Sequence, residues 1–183
     1  VACGVTDILM HTLDRYFNPV SDNETSDALA EALLRVVIGH GFETMQNPGD
    51  LQHMSEIMWC GSLSHNGLTG LGGQKDFAVH QLGHALSAKF DVAHGASLSA
   101  VWGSWALAVA DADEYRRFAR FARNVWEVKE SDDRQAALIG IQKQVDYFRK
   151  LQMPVGISQL GFGTLTEEDL ESLTALCSYG YSR

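Results

Sequence analysis

Apolar residues recur at steps of three and four along almost the entire chain, which is the spacing of one face of an α-helix. The first such run contains Ile8, Leu9, Leu13 and Phe17, and Asn18-Pro19 mark its end. No segment shows the sustained alternation of apolar and polar residues that is typical of half-buried strands. The pattern therefore predicts an all-α fold.

Turn and cap signals divide this pattern into about seven to eight helices. Ser21 and Glu24 have the spacing of a capping box, and Asp50 follows a turn and has the side chain of a helix N-cap. The mostly apolar stretch from Ala96 to Ala110 predicts a buried central helix. The predicted helices cover roughly residues 5–17, 22–45, 51–63, 75–90, 96–110, 113–125, 132–151 and 166–177.

Composition and charge narrow the class of protein. The chain has 183 residues, 45% of them hydrophobic, and a net charge of −9 from 14 Lys and Arg against 23 Asp and Glu. These values are typical of one ordered globular domain. The acidic balance excludes nucleic acid and anionic membrane surfaces as main partners, because both are bound through clustered Lys and Arg. No apolar run reaches the ~18 residues of a membrane span.

The densest group of cations lies on one predicted helix. Phe118, Phe121 and Val125 have the spacing of its buried face. We expect the arginines between them to form its solvent-exposed face: Arg116, Arg117, Arg120 and Arg123.

The cysteines Cys3, Cys60 and Cys177 are odd in number and widely spaced, without a CxxC pair. They indicate neither a disulfide framework nor a thiolate zinc site, so we expect a reducing, cytoplasmic location. The chain begins at Val1 without an initiating Met or a secretory signal. We therefore expect it to be cut from a longer protein.

Four histidines and one aspartate form a pattern of their own. Asp7 and His11 are four residues apart on one predicted helix, His80 and His84 are four apart on another, and His94 follows at the start of the next. A spacing of four places two side chains on one helix face. Burying several imidazoles and a carboxylate among apolar neighbours is costly unless a shared cation pairs with them. Three nitrogens and one carboxylate oxygen suit Fe²⁺, Zn²⁺ or Mn²⁺.

The other three histidines, His40, His53 and His65, lie near predicted helix ends and turns, where we expect surface or capping roles. Residues 80–84, His-Gln-Leu-Gly-His, have the histidine spacing of a zinc protease, but Gln81 replaces the general-base Glu. Two alternatives stay open on residue pattern alone. One is a metal-dependent phosphohydrolase-like helical domain, although no His is followed by Asp, and the other is a non-catalytic helical interaction module.

Two segments together resemble the iron-containing (group III) alcohol dehydrogenases, in particular their butanol dehydrogenase and broad aldehyde reductase branch. They are GVTDILMHTLDRY at residues 4–16 and HQLGHALSAKFDVAHGASL at residues 80–98, and Asn66–Gly70 adds a similar loop. The resemblance extends over residues 1–183 as the family's C-terminal helical domain, a dehydroquinate synthase-like bundle. It implies a metal site of Asp7, His11, His80 and His94, with His84 as a catalytic residue near the metal and the nicotinamide.

The resemblance also implies the cofactors and partners. The metal would be Fe²⁺ or Zn²⁺, the substrate a small alcohol or aldehyde, and the assembly commonly a homodimer. NAD(P)H would be bound mainly by an N-terminal α/β domain, which is absent from this chain. Gly67–Gly73 is a helix connection rather than a substitute for that domain, because its spacing is not GxGxxG and no strand precedes it. We therefore expect the isolated chain to be inactive as a dehydrogenase.

Overall fold

The computed structural model describes residues 1–18, 23–73 and 77–178. Within these ranges the regular structure is helical and contains no strand, which confirms the predicted all-α class. Three short 3₁₀ turns connect some of the helices. The eight α-helices are α1 (Ala2–Tyr16), α2 (Glu24–Gln46), α3 (Leu51–His65), α4 (Ala78–Phe90), α5 (His94–Val109), α6 (Arg116–Trp126), α7 (Asp133–Lys150) and α8 (Glu167–Ser178).

The helix starts follow from capping side chains. Asp50 caps α3 as predicted, because its Oδ1 accepts hydrogen bonds from the backbone amides of Gln52 and His53. Ser21, the predicted cap of α2, lies outside the described residues, and Asn23 caps this helix through Ser26 N at 3.3 Å. The predicted start of α4 near residue 75 also lies outside the described residues.

The core is built around α1 and α5, and α5 is the buried central helix that its apolar sequence predicts. Trp102 of α5 and Leu9 and Leu13 of α1 are inaccessible to solvent. Next to them, the ring of Phe17 stacks on Phe118 with centroids 4.1 Å apart. This packing fixes α1, which carries Asp7 and His11, between α5 and the neighbouring helices.

Arg117 contradicts the expected solvent face of α6. Its side chain is buried, forms a bidentate salt bridge with Asp27 of α2, and donates from Nε to Tyr16 O at 2.7 Å. The guanidinium also lies over the Tyr16 ring, 3.9 Å from its centroid. The acidic face of α2 packs against this side of α6 and supplies the counter-charge. The prediction therefore fails because helix periodicity does not reveal which neighbour covers a face.

Two other expectations are confirmed for the described residues. All three cysteines are free, Cys3 being exposed, Cys60 buried and Cys177 half-buried. No described helix is both long enough and apolar enough to cross a membrane.

Candidate metal centre

Asp7 lies at the meeting point of three histidine rings. Its Oδ1 is 3.4 Å from His94 Nε2, 3.5 Å from His80 Nε2 and 3.7 Å from His11 Nε2. Asp7 and His11 come from successive turns of α1, His80 from α4 and His94 from the first residue of α5. The structure thus brings together the four residues that the sequence predicts as ligands.

Two glycines allow these helices to approach so closely. A Cβ on Gly83 of α4 would lie 2.7 Å from Leu98 Cδ2 of α5, and a Cβ on Gly95 would lie 2.5 Å from the backbone oxygen of Cys3. Both distances are shorter than a normal Cβ contact. The Leu98 side chain could move away from a Cβ on Gly83, but the backbone of Cys3 could not, so the observed packing requires glycine at position 95. The contact at Gly95 sets the start of α5 against the first turn of α1, which places His94 beside Asp7.

Asp14 orients His80 from behind. Asp14 Oδ2 lies 2.6 Å from His80 Nδ1 and also accepts a hydrogen bond from the His80 backbone amide at 3.2 Å. Because a carboxylate only accepts, His80 Nδ1 carries the proton and its Nε2 faces Asp7. A carboxylate that holds the far nitrogen of a ligating histidine is a common partner in metal sites. Sequence reasoning missed Asp14, although it lies seven residues after Asp7 on the same side of α1.

The charges of the cluster shift its pKa values. Burial by itself would raise the pKa of Asp7, but the closely approaching His80, His94 and His11 hold it well below its usual range. Burial, together with the charge of His80, lowers the pKa of His11 to about 3. Asp7 is therefore an anion and His11 a neutral imidazole at neutral pH, the forms in which both residues ligate metals. Burial also opposes charge on His80, but Asp14 and Asp7 outweigh it and raise the pKa of this histidine.

Arg15 fastens α1 to the end of α3 below the site. Its Nη1 donates to His11 O at 2.6 Å and to Ser64 O at 2.7 Å. Both Nη1 protons are used by these carbonyls, so the 3.5 Å approach of Nη1 to His11 Nδ1 does not fix the tautomer of that ring. The arginine therefore holds the backbone around His11 and Ser64 without occupying the imidazole nitrogens.

The site is half open to solvent, which differs from the burial that its apolar neighbours suggest. Only the His80 side chain among the four is deeply buried, at 4% exposure, whereas Asp7 is 27% and His94 35% exposed. Helix periodicity places a residue on a face but does not show where neighbouring helices leave that face uncovered. An uncovered side is what a catalytic metal centre needs for its substrate.

His84 lies at the edge of this opening. Its ring is exposed and stacks on His94, with centroids 4.7 Å apart and planes 23° from parallel. The His80 ring is farther away, at 6.0 Å. His84 thus contacts the cluster through one of its members, in a position open to a ligand from solution.

The three remaining histidines do not behave alike. His65, the last residue of α3, enters the cluster: its Nε2 lies 3.3 Å from Asp7 Oδ2 and its ring centroid 3.9 Å from that of His11. His65 is exposed and contacts Gly61 O in the last turn of α3, as a surface or capping role predicts, but that expectation did not include its contact with Asp7. His40 and His53 are half-buried and meet each other, with Nδ1 atoms 3.0 Å apart.

With this geometry established, the comparisons with known proteins are decisive for the family. A family model described as Fe-containing alcohol dehydrogenase family, C-terminal, matches residues 1–178. The chain belongs to this family. As a member, it is similar to NADH-dependent butanol dehydrogenase A of Clostridium acetobutylicum, with 32% identity over 163 residues, which are 88% of this chain and 42% of that protein.

Escherichia coli provides two further comparisons. The NADPH-dependent aldehyde reductase YqhD is 30% identical over 162 residues, 88% of this chain and 41% of that protein. The substrate- and cofactor-free structure of YqhD superposes with a TM-score of 0.88 at 27% identity, covering 98% of this chain and 46% of that one. The chain thus spans less than half the length of these relatives. The family result favours the dehydrogenase interpretation over the phosphohydrolase-like and interaction-module alternatives.

Proposed function

We propose that the chain is the metal-binding catalytic domain of an NAD(P)-dependent alcohol dehydrogenase or aldehyde reductase. Asp7, His11, His80 and His94 would hold one divalent cation, Fe²⁺ or Zn²⁺. The observation that carries this proposal is the convergence of three Nε2 atoms within 3.7 Å of Asp7 Oδ1. Three imidazoles and a carboxylate suit both metals, and the absence of a thiolate from this set is unlike most structural zinc sites.

Two buried atoms support the fit of a cation. Asp7 Oδ1 and His80 Nε2 are both shielded from solvent, and neither has a hydrogen-bond partner within the described residues. Because Asp14 accepts from His80 Nδ1, Nε2 is the nitrogen that faces the Asp7 carboxylate. The two carboxylates favour positive charge at this position, and they raise the pKa of His80 for the same reason. A metal cation between Nε2 and Oδ1 would take the place of a proton on Nε2 and would give both buried atoms a partner.

The bound cation would act as a Lewis acid toward the alcohol or carbonyl oxygen of the substrate while hydride moves to or from the nicotinamide. The protein's own residues prepare this site. Asp14 keeps the proton of His80 on Nδ1 and leaves Nε2 free to ligate. His84, exposed at the opening, would position the nicotinamide or relay a proton to solvent from its ring nitrogens.

The remaining parts of the reaction would come from outside these 183 residues. The relatives are named as NADH- or NADPH-dependent enzymes. We propose that an N-terminal α/β domain of the whole protein binds NAD(P)H and closes on the open side of the metal centre. The substrate would be a small alcohol or aldehyde, the assembly a homodimer, and the free cysteines suit a reducing cytoplasm.

Two measurements on the purified chain test the proposal. Elemental analysis after incubation with Zn²⁺ or Fe²⁺ and removal of free metal should give one bound cation per chain. The chain alone should not oxidise NADH or NADPH in the presence of butyraldehyde, since the NAD(P)H-binding domain that we propose lies outside these 183 residues. Failure to retain any metal would contradict the ligand assignment. Reduction of butyraldehyde by the chain alone would contradict the proposal that NAD(P)H binds to a domain outside these 183 residues.

A further inference from the structure

His65 meets the metal centre on the side of Asp7 that the four proposed ligands leave free. The rings of His11, His80 and His94 approach Asp7 Oδ1, whereas His65 Nε2 lies 3.3 Å from Oδ2. The ligand atoms of Asp7, His11 and His65 all lie within 4.8 Å of one another, as do those of Asp7, His80 and His94. Asp7 is therefore shared by two groups that each have the composition of a metal site.

The hydrogen bonds around His65 decide which of its nitrogens can ligate. Its Nδ1 is 2.9 Å from the backbone oxygen of Gly61, which only accepts, and 2.7 Å from Ser64 Oγ. Ser64 Oγ donates its own proton to Gly61 O at 2.9 Å, so the hydroxyl is an acceptor toward His65. Nδ1 must therefore carry the proton. Nε2, which lies 3.3 Å from Asp7 Oδ2, is therefore the nitrogen of His65 that can ligate a cation.

This arrangement repeats that of His80. In both rings a fixed acceptor lies behind Nδ1, Asp14 for His80 and Gly61 O for His65, so that Nε2 is the nitrogen that faces Asp7 and can ligate. Backbone carbonyls fulfil this role in metal sites as carboxylates do. Arg15 holds the end of α3 in place by binding Ser64 O and His11 O together, so His65 is fixed beside His11 before any ligand arrives.

We propose that His65 Nε2 is a fifth protein ligand of the cation, together with Asp7, His11, His80 and His94. One shared cation is the assignment that joins both groups, because His11 belongs to the group of His65 and its Nε2 also approaches Asp7 Oδ1, the oxygen that His80 and His94 face. Five protein ligands exceed the four of a tetrahedral zinc site, so His65 would favour cations of higher coordination number such as Fe²⁺. This inference rests on the proposed function, since it adds a ligand to the same site.

Co²⁺ titration of the whole 183-residue chain tests the assignment, since the visible absorption of Co²⁺ becomes more intense as its coordination number falls. The variant is His65→Gln, and the matched control is His53→Gln, on the same helix but in contact with His40. We expect His65→Gln to weaken Co²⁺ binding by about tenfold or more, because even an outer partner of a ligand is worth about 10–100-fold in affinity. We also expect its absorption to become stronger, whereas His53→Gln leaves both the affinity and the spectrum as in the unmodified chain.

The possible results separate the two proposals. If the unmodified chain binds no Co²⁺, the proposed function fails together with this inference. If the unmodified chain and His65→Gln bind Co²⁺ with equal affinity and equal spectra, the metal site stands and the role of His65 is refuted. A weaker affinity with an unchanged spectrum would also refute ligation, because it would show that His65 only positions Asp7. Equal circular dichroism of the variants confirms that each retains the fold.

Discussion

Asp14 Oδ2 lies 2.6 Å from His80 Nδ1, and both side chains are almost completely buried. Asp14 belongs to α1 and His80 to α4, so this contact joins the two helices that carry three of the four proposed ligands. It also fixes the His80 ring with Nε2 toward Asp7. The packing of α1 against α4 therefore determines the orientation of the His80 ring in the metal centre.

Asp14→Asn is expected to weaken Zn²⁺ binding by about 10–100-fold, the usual effect of losing a carboxylate partner behind a ligating histidine. The amide oxygen still accepts from Nδ1 but lacks the negative charge that makes the imidazole a stronger ligand. Competition titration against a chelating dye measures the affinity. Asp146→Asn, a change at an exposed carboxylate paired with Arg149, is the control and should bind as the unmodified chain does. An unchanged affinity of Asp14→Asn would show that this contact does not support the metal.

Metal removal should lower the thermal stability of the chain. A ligand that binds only the folded state at about 100 times its Kd adds about 2.7 kcal/mol to the free energy of unfolding. For a domain of this size we expect Tm to rise by roughly 5–10 °C with Zn²⁺ and to return to its former value with excess EDTA. Differential scanning calorimetry measures the shift. Asp7→Asn, which removes the carboxylate charge at the centre, should abolish it, and equal melting with and without Zn²⁺ would contradict the site.

How much of the fold and of the metal centre could be predicted from the sequence depends on how far apart along the chain the contacting residues are. Helix positions and the Asp7–His11 and His80–His84 pairs depend on spacings of three and four, and the structure has those helices and brings Asp7, His11 and His80 together. His65 ends a different helix, 54 residues after His11, and no spacing links it to α1. The sequence shows that both residues are present but does not show that α3 packs against α1. Long-range packing is therefore the part that residue pattern could not supply.

The prediction that Arg117 lies on the solvent-exposed face of α6 is wrong for the same reason. Because Arg117 is buried, its contribution to stability can be tested. Arg117→Met should lower the free energy of unfolding by about 3–5 kcal/mol, because it leaves Asp27 buried without its bidentate partner. Urea denaturation followed by circular dichroism measures this value. Arg149→Met breaks a salt bridge to Asp146 at the surface and should cost only about 0.2–1 kcal/mol. If both variants lost equal stability, the burial of the Arg117 pair would not determine its contribution.

Combining Arg117→Met with Asp27→Leu separates loss of attraction from the cost of an unpaired charge. Apolar residues of similar size often replace buried ion pairs without loss of stability. We expect the double variant to recover a large part of the stability that Arg117→Met loses. Recovery stops short of complete, because Asp27 also lies 3.2 Å from Arg120 and Arg117 also binds Tyr16 O. A double variant less stable than Arg117→Met would contradict this account.

Gly95 determines how closely α5 can approach α1, and Gly95→Ala tests whether that distance matters to the metal centre. The added methyl would lie 2.5 Å from Cys3 O and 2.6 Å from Cys3 Cα, both backbone atoms that cannot rotate away. We expect a loss of about 1–3 kcal/mol from overpacking and a weaker affinity for Zn²⁺, because His94 directly precedes Gly95 and would move with it.

Gly39→Ala is the matched control, since nothing lies within 4 Å of its added Cβ in the middle of α2. There the better helix propensity of Ala should stabilise the chain by about 0.5–1 kcal/mol and leave Zn²⁺ binding unchanged. Opposite stability changes in the two variants, with a loss of affinity only at position 95, would show that a backbone contact between α1 and α5 sets the position of His94. A Gly95→Ala chain with unchanged stability and affinity would show that α5 can shift without cost.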